Sequence, residues 1–442
     1  MPSIRPEALL DPRRSRGPSS PRLLLAGAFA AFTIGSVMMH SYAVFLVAFI
    51  EAFAWSRAET SIAYSVSQLV AGASSPLVGA LVDRLGPLRL LALGSFLLVA
   101  GLLGCAAMSS LWQVILLYGV VMTVGANCLG LVVFVPLLSR RFVRRRGAAI
   151  SVVQSANGFA RALSAPLVQL AISGIGWRAT YLVEAALMAA AAVPLAALLR
   201  RGIRDPVAVE ADTVEAGAAP PASPDTGRSA VPSSGWSLAE AARTPHFWLL
   251  FGVYLFTGLG SFLVSLHQLA FAVDRGFDKI YAAEVLGIGS LLAIAGTIVT
   301  GALSDYIGRE LSAILAYVVS ILGVVCALFI RGPSQGWLLW LFACCFGLTW
   351  GARGPAITAK TADLFPGRQL GTILGVITIG SGIGSAVGSW AAGWIFDLSG
   401  SYELAFLLSI ASYACGCVAF WALRRPPRRR PGQNQPRLAL PI

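Results

Sequence analysis

The sequence consists mostly of long apolar runs that are separated by short polar segments. Each of twelve such runs is long enough for a helix that crosses a bilayer, which needs ~20 mostly apolar residues. The runs cover residues 22–50, 59–82, 88–108, 111–138, 147–173, 178–199, 246–273, 281–304, 311–330, 335–362, 370–396 and 402–423. They are continuous and longer than the ~9–11 residues of a tilted transmembrane strand. The pattern therefore predicts an all-α membrane protein with 12 transmembrane helices.

Two of the polar turns are copies of each other. Gly79-Ala-Leu-Val-Asp83-Arg84-Leu-Gly86 closes the second run, and Gly301-Ala-Leu-Ser-Asp305-Tyr-Ile-Gly308-Arg309 closes the eighth. A second echo, Gly147-Ala-Ala-Ile-Ser against Gly371-Thr-Ile-Leu-Gly, relates runs five and six to runs eleven and twelve. The repeats predict two six-helix halves in parallel register, an arrangement in which a transporter binds its substrate between the halves.

Composition sets the expected domain boundaries. The N-terminal residues are rich in Pro, Arg and Ser, and a second polar, low-complexity stretch separates runs six and seven, as is typical of disordered tails and linkers. We predict a disordered cytoplasmic tail (1–20), an N-terminal six-helix bundle (21–200), a cytoplasmic linker (201–244), a C-terminal six-helix bundle (245–424) and a basic cytoplasmic tail (425–442).

The charge distribution predicts the orientation. Of the 442 residues, 57% are hydrophobic and only 12% are charged, against about 25% charged in a typical soluble domain. The net charge of +13 would fit nucleic acid, but most Lys and Arg residues fall in the tails, the linker and the turns of one side. This positive-inside bias puts both termini in the cytoplasm of a multi-pass inner (plasma) membrane protein. The expected partner of the basic residues is the lipid bilayer and not nucleic acid.

Enzymatic chemistry is not expected. The seven Cys residues fall within apolar runs and show neither disulfide nor metal spacing. A phosphate-binding loop of the Gly-x-x-x-x-Gly-Lys-Ser/Thr type is missing, so ATP is not expected to act directly. We therefore expect no catalytic residue, metal or cofactor.

The copied turns resemble the loop signature of the major facilitator superfamily, Gly-x-Leu-x-Asp-Arg-x-Gly. Finer features resemble its bacterial monocarboxylate-transporter-like and oxalate/formate-antiporter-like members: Trp55-Ser-Arg57-Ala, Gly176-Trp177-Arg178 and Asp397-Leu-Ser-Gly400-Ser-Tyr402. The resemblance covers nearly the whole chain and implies a secondary transporter that works by alternating access. The chain departs from the family pattern at Tyr306, where Arg is usual, and lacks the Gly-rich antiporter pattern on run five.

The resemblance assigns the copied turns the role of a conformational latch on the cytoplasmic side. A carboxylate there can accept hydrogen bonds from a helix N-terminus and pair with Arg across the two halves. A loop salt bridge of small energetic value is the alternative. The predicted latch residues are Gly79, Asp83, Arg84, Gly86, Gly301, Asp305, Gly308 and Arg309.

Two arginines within apolar runs are the strongest candidates for substrate binding. A basic residue deep in hydrocarbon costs ~2.5–3.5 kcal/mol, so Arg161 and Arg353 should face a cavity or a partner. A guanidinium group binds a carboxylate through two hydrogen bonds, which predicts an anion clamp. The alternative is a structural bond to backbone carbonyls or to a buried acid such as Glu184.

Other polar and aromatic side chains complete the candidate site. His40 and His267 lie at corresponding places in the two halves, and each can take up a proton or donate to a carboxylate. The further candidates are Asn127, Gln154, Asn157 and Trp350, with Tyr64 and Gln68 on the second run. Each of these side chains can instead serve helix packing.

The basic character of the buried charges favours a small organic anion, a monocarboxylate or similar, as the substrate. Proton symport and anion exchange both stay open, with the proton as a second partner, and we expect a monomer. A major facilitator exporter of amphipathic drugs or a carrier of a neutral solute is the alternative, although drug sites are often acidic. A membrane sensor is a remote alternative, because residues 201–244 are too few and too polar for a folded soluble domain.

Overall fold

The computed structural model describes residues 20–141, 146–204, 236–365 and 370–423, and every regular element in these ranges is helical. The α-helices are α1 (Ser20–His40), α2 (Tyr42–Phe53), α3 (Arg57–Leu85), α4 (Pro87–Ala107), α5 (Leu111–Val114), α6 (Thr123–Cys128), α7 (Leu131–Arg141), α8 (Arg146–Arg204), α9 (Leu238–Ala242), α10 (Pro245–Ser265), α11 (Gln268–Asp274), α12 (Lys279–Ile307), α13 (Arg309–Leu328), α14 (Gly336–Trp350), α15 (Arg353–Leu364), α16 (Leu370–Ser399) and α17 (Glu403–Ala422). A π-helical stretch, Ile115–Met122, joins α5 to α6, and a 3₁₀ turn, Pro333–Gln335, precedes α14. The predicted all-α class is confirmed.

Within the described ranges, ten helical stretches are long and apolar enough to cross a membrane. The sequence predicts twelve, and the difference arises at two places. One stretch, Val152–Ile203, continues through a kink at Gly176 and covers two predicted spans. The predicted span 335–362 is divided into α14 and α15 at Gly351 and Ala352. The count of twelve and the side on which the termini lie stay predictions, and both tails lie outside the described residues.

Glycines with positive φ form the tight turns that the repeats predict. Gly86 joins α3 to α4 with φ 80° and ψ 161°, and Gly308 joins α12 to α13 with φ 86° and ψ 154°. Gly176 adopts almost the same backbone at the kink of α8, with φ 78° and ψ 160°. Only glycine adopts this conformation without strain. The matching backbone of Gly86 and Gly308 supports the interpretation of the turns as copies.

Three pairs of helices join the first part of the chain, up to residue 204, to the second part, from residue 236. The two more extensive pairs are α3 with α16 and α8 with α12, and the third is α2 with α11. Glycines allow the backbones to approach closely, as small residues do in membrane helix packing. A Cβ atom on Gly393 would lie 2.6 Å from the carbonyl oxygen of Arg57, and one on Gly287 would lie 2.7 Å from that of Ala162. The candidate site lies between these two seams.

Candidate functional site

A polar network, which we call the Arg57 closure (Arg57, Asp274, Asp397, Tyr402 and His267), joins the two parts of the chain. Asp397 on α16 accepts hydrogen bonds from the backbone N–H groups of Arg57 (2.9 Å) and Ala58 (2.7 Å) at the start of α3. The Arg57 guanidinium donates to Asp274 and to the Tyr402 hydroxyl, both at 2.7 Å. The carboxylate of Asp397, which belongs to the second part of the chain, therefore places a negative charge at the N-terminus of α3, where the helix dipole favours it.

His267 belongs to the closure. It lies at the break between α10 and α11 and is fully buried. Its Nε2 donates to the Ser389 carbonyl at 2.8 Å, and its Nδ1 lies 3.2 Å from the Tyr402 hydroxyl, with the tautomer assigned from these partners. The Ser61 hydroxyl is 3.2 Å from Nε2. Both ring nitrogens have protein partners, so the contacts of His267 do not support its predicted role in substrate binding.

Two adjoining chambers, which we call the central cavity, lie beside the closure, because Leu266 and Gln268 on either side of His267 line the smaller one. The smaller chamber has a volume of about 40 Å³ and the larger of about 320 Å³, and both are lined by His40 and Tyr64. The larger chamber reaches Val132, which would lie 3.6 Å from a Cβ on Gly79. The cavity thus extends from the Arg57 closure towards the copied turn. The residues that line its two chambers include no Asp or Glu.

Arg161 lines the smaller chamber and is almost completely buried. Its Nη2 donates to Ser265 on α10 at 3.0 Å, and its Cζ lies 3.6 Å from the ring centroid of Trp350. The other terminal nitrogen, Nη1, has no hydrogen-bond partner in the described part of the chain. The structure therefore brings Arg161 and Trp350 together, as a cation–π pair with a free donor.

Arg353 lies outside the lining of the central cavity. It is 2% exposed, its Nη2 donates to Ser261 at 3.2 Å, and its Cζ lies 4.5 Å from the ring centroid of Tyr413 and 5.4 Å from that of Tyr317. The Nε and Nη1 atoms have no partner among the described residues. These contacts place the guanidinium between α10, α13 and α17, and Arg353 is not among the residues that line the central cavity.

Of the candidate amide side chains Asn127, Gln154 and Asn157, two line the central cavity and one does not. Asn157 lines the larger chamber, and its Oδ1 lies 3.2 Å from Nε2 of His40, the last residue of α1. His40 also lines the smaller chamber together with Arg161. Asn127 also lines the chamber, but its Nδ2 already donates to the Ala71 carbonyl (2.9 Å). Gln154 is exposed and does not line the cavity.

Sequence reasoning did not single out Ser265, Ser261 or the Arg57 closure as a unit. Nothing in the sequence marks the two serines as functional, because a lone Ser in an apolar helix normally bonds to its own backbone. The sequence does mark three residues of the closure, since Arg57, Asp397 and Tyr402 belong to the segments on which the family resemblance rests.

The described residues test only part of the predicted latch. Gly79 lies within α3, Gly86 and Gly308 form turns, and Arg84 is exposed. Of the side chains of Asp83, Asp305 and Arg309, and of the surroundings of Gly301, the structure gives no description. The latch therefore stays a prediction.

Apolar helices in two packed groups, with a cavity between them that His40, Asn157 and Arg161 line, are the architecture of a membrane transporter. The sequence profile of the Major Facilitator Superfamily matches residues 23–359 and 347–441. The chain belongs to this superfamily, and the resemblance inferred from its turns is confirmed.

Relatives with known names support the finer resemblance. The chain is 25% identical to monocarboxylate transporter 13 of Rattus norvegicus, over 89% of this chain and 86% of the relative. It is 24% identical to the uncharacterized MFS-type transporter YcxA of Bacillus subtilis (strain 168), over 88% and 91%. The solved nucleoside transporter NupG shares the fold, with a TM-score of 0.69 and 13% identity over 92% of this chain and 100% of that one.

Proposed function

We propose that the protein is a secondary transporter that carries a small organic anion, a monocarboxylate or a compound of similar size, by alternating access. The observation that carries the proposal is the Arg161 guanidinium: it is buried, keeps one donor without a partner and faces a cavity whose lining has no acid. A buried charge is costly unless it is paired. A substrate carboxylate completes Arg161 in a way that no described residue of the cavity does.

The surroundings of Arg161 fit this role. Trp350 covers one face of the guanidinium, Ser265 fixes one of its nitrogens, and His40 offers a neighbouring polar group. The smaller chamber would receive the carboxylate, and the larger one the rest of the molecule. A cationic drug would meet the charge of Arg161 without a compensating acid, which weighs against the alternative of a drug exporter.

Arg353 takes a different part in the proposal. Ser261 and Ser265 lie one turn apart on α10, so the bond from Arg353 to Ser261 supports the same face of the helix that holds Arg161. We assign Arg353 a positioning role and Arg161 the direct contact with the anion. His40 is the proposed site of proton uptake if transport is proton symport; anion exchange would need none. We further propose twelve spans, cytoplasmic termini, an inner-membrane location and a monomer.

Transport by purified protein in proteoliposomes tests the proposal. Labelled lactate, pyruvate and oxalate are offered with and without an imposed pH gradient, and Arg161→Gln is compared with the parent. Truncating one partner of a buried charged pair costs about 2–5 kcal/mol, so KM should rise roughly 30-fold or more. Stimulation by an inward proton gradient would indicate symport, and stimulation by anion inside the vesicle would indicate exchange.

Arg331→Gln is the matched control, because the Arg331 side chain is exposed, bonds to Glu403 and does not line the central cavity. The Arg331→Gln variant loses one positive charge, as Arg161→Gln does, and it should transport the anion with the KM of the parent. If the KM for the anion were unchanged in Arg161→Gln and much higher in Arg353→Gln, Arg353 and not Arg161 would be the residue that binds the anion. Absence of uptake of every acid by the parent, with uptake of a neutral solute, would refute an anion substrate.

A further inference from the structure

A second, larger hollow lies on the outside of the first group of helices. It has a volume of about 1220 Å³ and runs between α4 and the last three turns of α8, with Leu23 of α1 at its side. Its floor is made of small residues, Ala92 and Ser95 on α4 and Ala192 and Ala196 on α8, which leave a trough between longer neighbours. We call this hollow the α4–α8 groove.

The groove has the length of one lipid chain in one leaflet. Its lining extends from Leu88 to Val99 on α4 and from Ala192 to Arg201 on α8. At ~1.5 Å per residue, each wall is about 15 Å long, which is half of the ~30 Å hydrocarbon core of a bilayer. The walls are apolar, and Phe96 and Val193 are 67% and 75% exposed, so lipid contacts them directly in a membrane.

One end of the groove is cationic. Arg200 and Arg201 line it there, both are exposed, and neither side chain makes a hydrogen bond or an ion pair with the described part of the chain. These arginines lie near the end of α8, after its apolar residues, so their charges lie where the membrane surface is expected. An adjacent pair of unpaired cations at the end of an apolar trough matches an anionic headgroup on an acyl chain.

A third feature points to a ligand with polar groups of its own. The Ser95 hydroxyl lies in the groove, is 4% exposed and has no hydrogen-bond partner among the described residues. A serine in a helix usually donates to a carbonyl one turn earlier. Its hydroxyl is therefore available to an ester oxygen.

We propose that the α4–α8 groove is a binding site for one anionic phospholipid of the surrounding bilayer. One acyl chain lies in the trough and the headgroup phosphate binds Arg200 and Arg201. The site is separate from the central cavity and does not depend on the nature of the transported solute.

Native mass spectrometry of the purified full-length protein, titrated with phosphatidylglycerol or phosphatidylcholine, tests the site. The parent should retain one phosphatidylglycerol in preference to phosphatidylcholine. Each basic residue near an anionic surface contributes a factor of about five, so Arg200→Gln with Arg201→Gln should weaken phosphatidylglycerol binding roughly 20- to 30-fold. Ala196→Phe fills the trough without a change in charge and should also weaken binding.

Arg331→Gln serves again as the control and should bind lipid as the parent does, since Arg331 does not line the groove. Each variant is checked by thermal unfolding in the same detergent. Equal retention by the double variant, or by Ala196→Phe, would overturn the proposal, because the site requires both the charges and the trough. A dimer that forms only when the groove is intact would instead assign the face to a second copy of the chain.

Discussion

Replacing Asp397 by asparagine tests whether the Arg57 closure holds one end of the cavity shut. Asp397 accepts two backbone hydrogen bonds at the start of α3, at 2.9 and 2.7 Å, from the other part of the chain. Asparagine keeps the shape and one acceptor but loses the charge and the second acceptor. A hydrogen bond to a charged group contributes about 1.5–3 kcal/mol, and an anion at a helix N-terminus adds about 0.3–1 kcal/mol.

We therefore expect Asp397→Asn to destabilise the closed arrangement by about 2 kcal/mol. This is roughly 30-fold in the equilibrium between the closed and open arrangements. A parent that is closed to open at roughly 100:1 would become roughly 3:1, which a distance measurement resolves as a second population. The fold itself should survive, since the change breaks contacts between the two parts and none within either core.

Spin labels at Ala52 and Tyr281 provide the readout, in a background with the seven cysteines replaced. Both positions are exposed and flank the ion pair between Glu51 and Lys279, which also joins the two parts at 2.6 Å. Double electron–electron resonance should show a longer distance in Asp397→Asn that the parent lacks.

Glu59→Gln is the matched control for that measurement. Glu59 accepts from the Ser56 backbone N–H at 2.9 Å, at the same helix end but within the first part of the chain. The Glu59→Gln variant loses one negative charge, as Asp397→Asn does, but Gln can preserve the capping box at Ser56. Its distance distribution should therefore equal that of the parent. An unchanged distribution in Asp397→Asn would refute the role of this carboxylate in closing the cavity.

Three further predictions concern packing and the site. Gly296→Ala should lower the thermal stability markedly, because a Cβ there would overlap a carbonyl oxygen of α14 and overpacking typically costs about 1–3 kcal/mol. Gly72→Ala, with open space around it, should unfold like the parent. Equal melting temperatures of the two variants would contradict the close packing at Gly296. Gly86→Ala should cost about 1–3 kcal/mol through its positive φ, while Gly79→Ala, at ordinary contact distance, should cost less in the same unfolding assay. Trp350→Leu should raise KM for the transported anion several-fold, since a desolvated cation–π contact contributes about 1–2 kcal/mol, and an unchanged KM would remove Trp350 from the site.

Much of the fold follows from the sequence because the bilayer restricts the choices. A chain in hydrocarbon must satisfy its backbone hydrogen bonds within each span, so long apolar runs predict helices. The glycines at 86 and 308 mark turns that no other residue adopts easily, and the structure has both. The helix count differs at two places: the sequence predicts separate spans on the two sides of Gly176, where the structure has one kinked stretch, and it predicts one span across Gly351, where the structure has two helices.

The site was predictable only as a set of residue types. The sequence determined that two arginines and two histidines are embedded in apolar helices where acids are scarce, which favours an anion as the substrate. It did not decide which of them share a cavity. A membrane helix is apolar on all sides, so it lacks the amphipathic stripe that tells which face of a soluble helix is buried.

Tertiary packing decided which of them share a cavity. It put Arg161 in the lining of the central cavity, in contact with Trp350 and Ser265, and it put Arg353 between α10, α13 and α17. It also joined His267 to Tyr402, 135 residues away. Such contacts depend on the rotation of each helix about its own axis and on its neighbours from the other part of the chain. The sequence by itself determined the helices, the repeated turns and the sign of the buried charge, whereas the packing of the two groups decided which side chains meet.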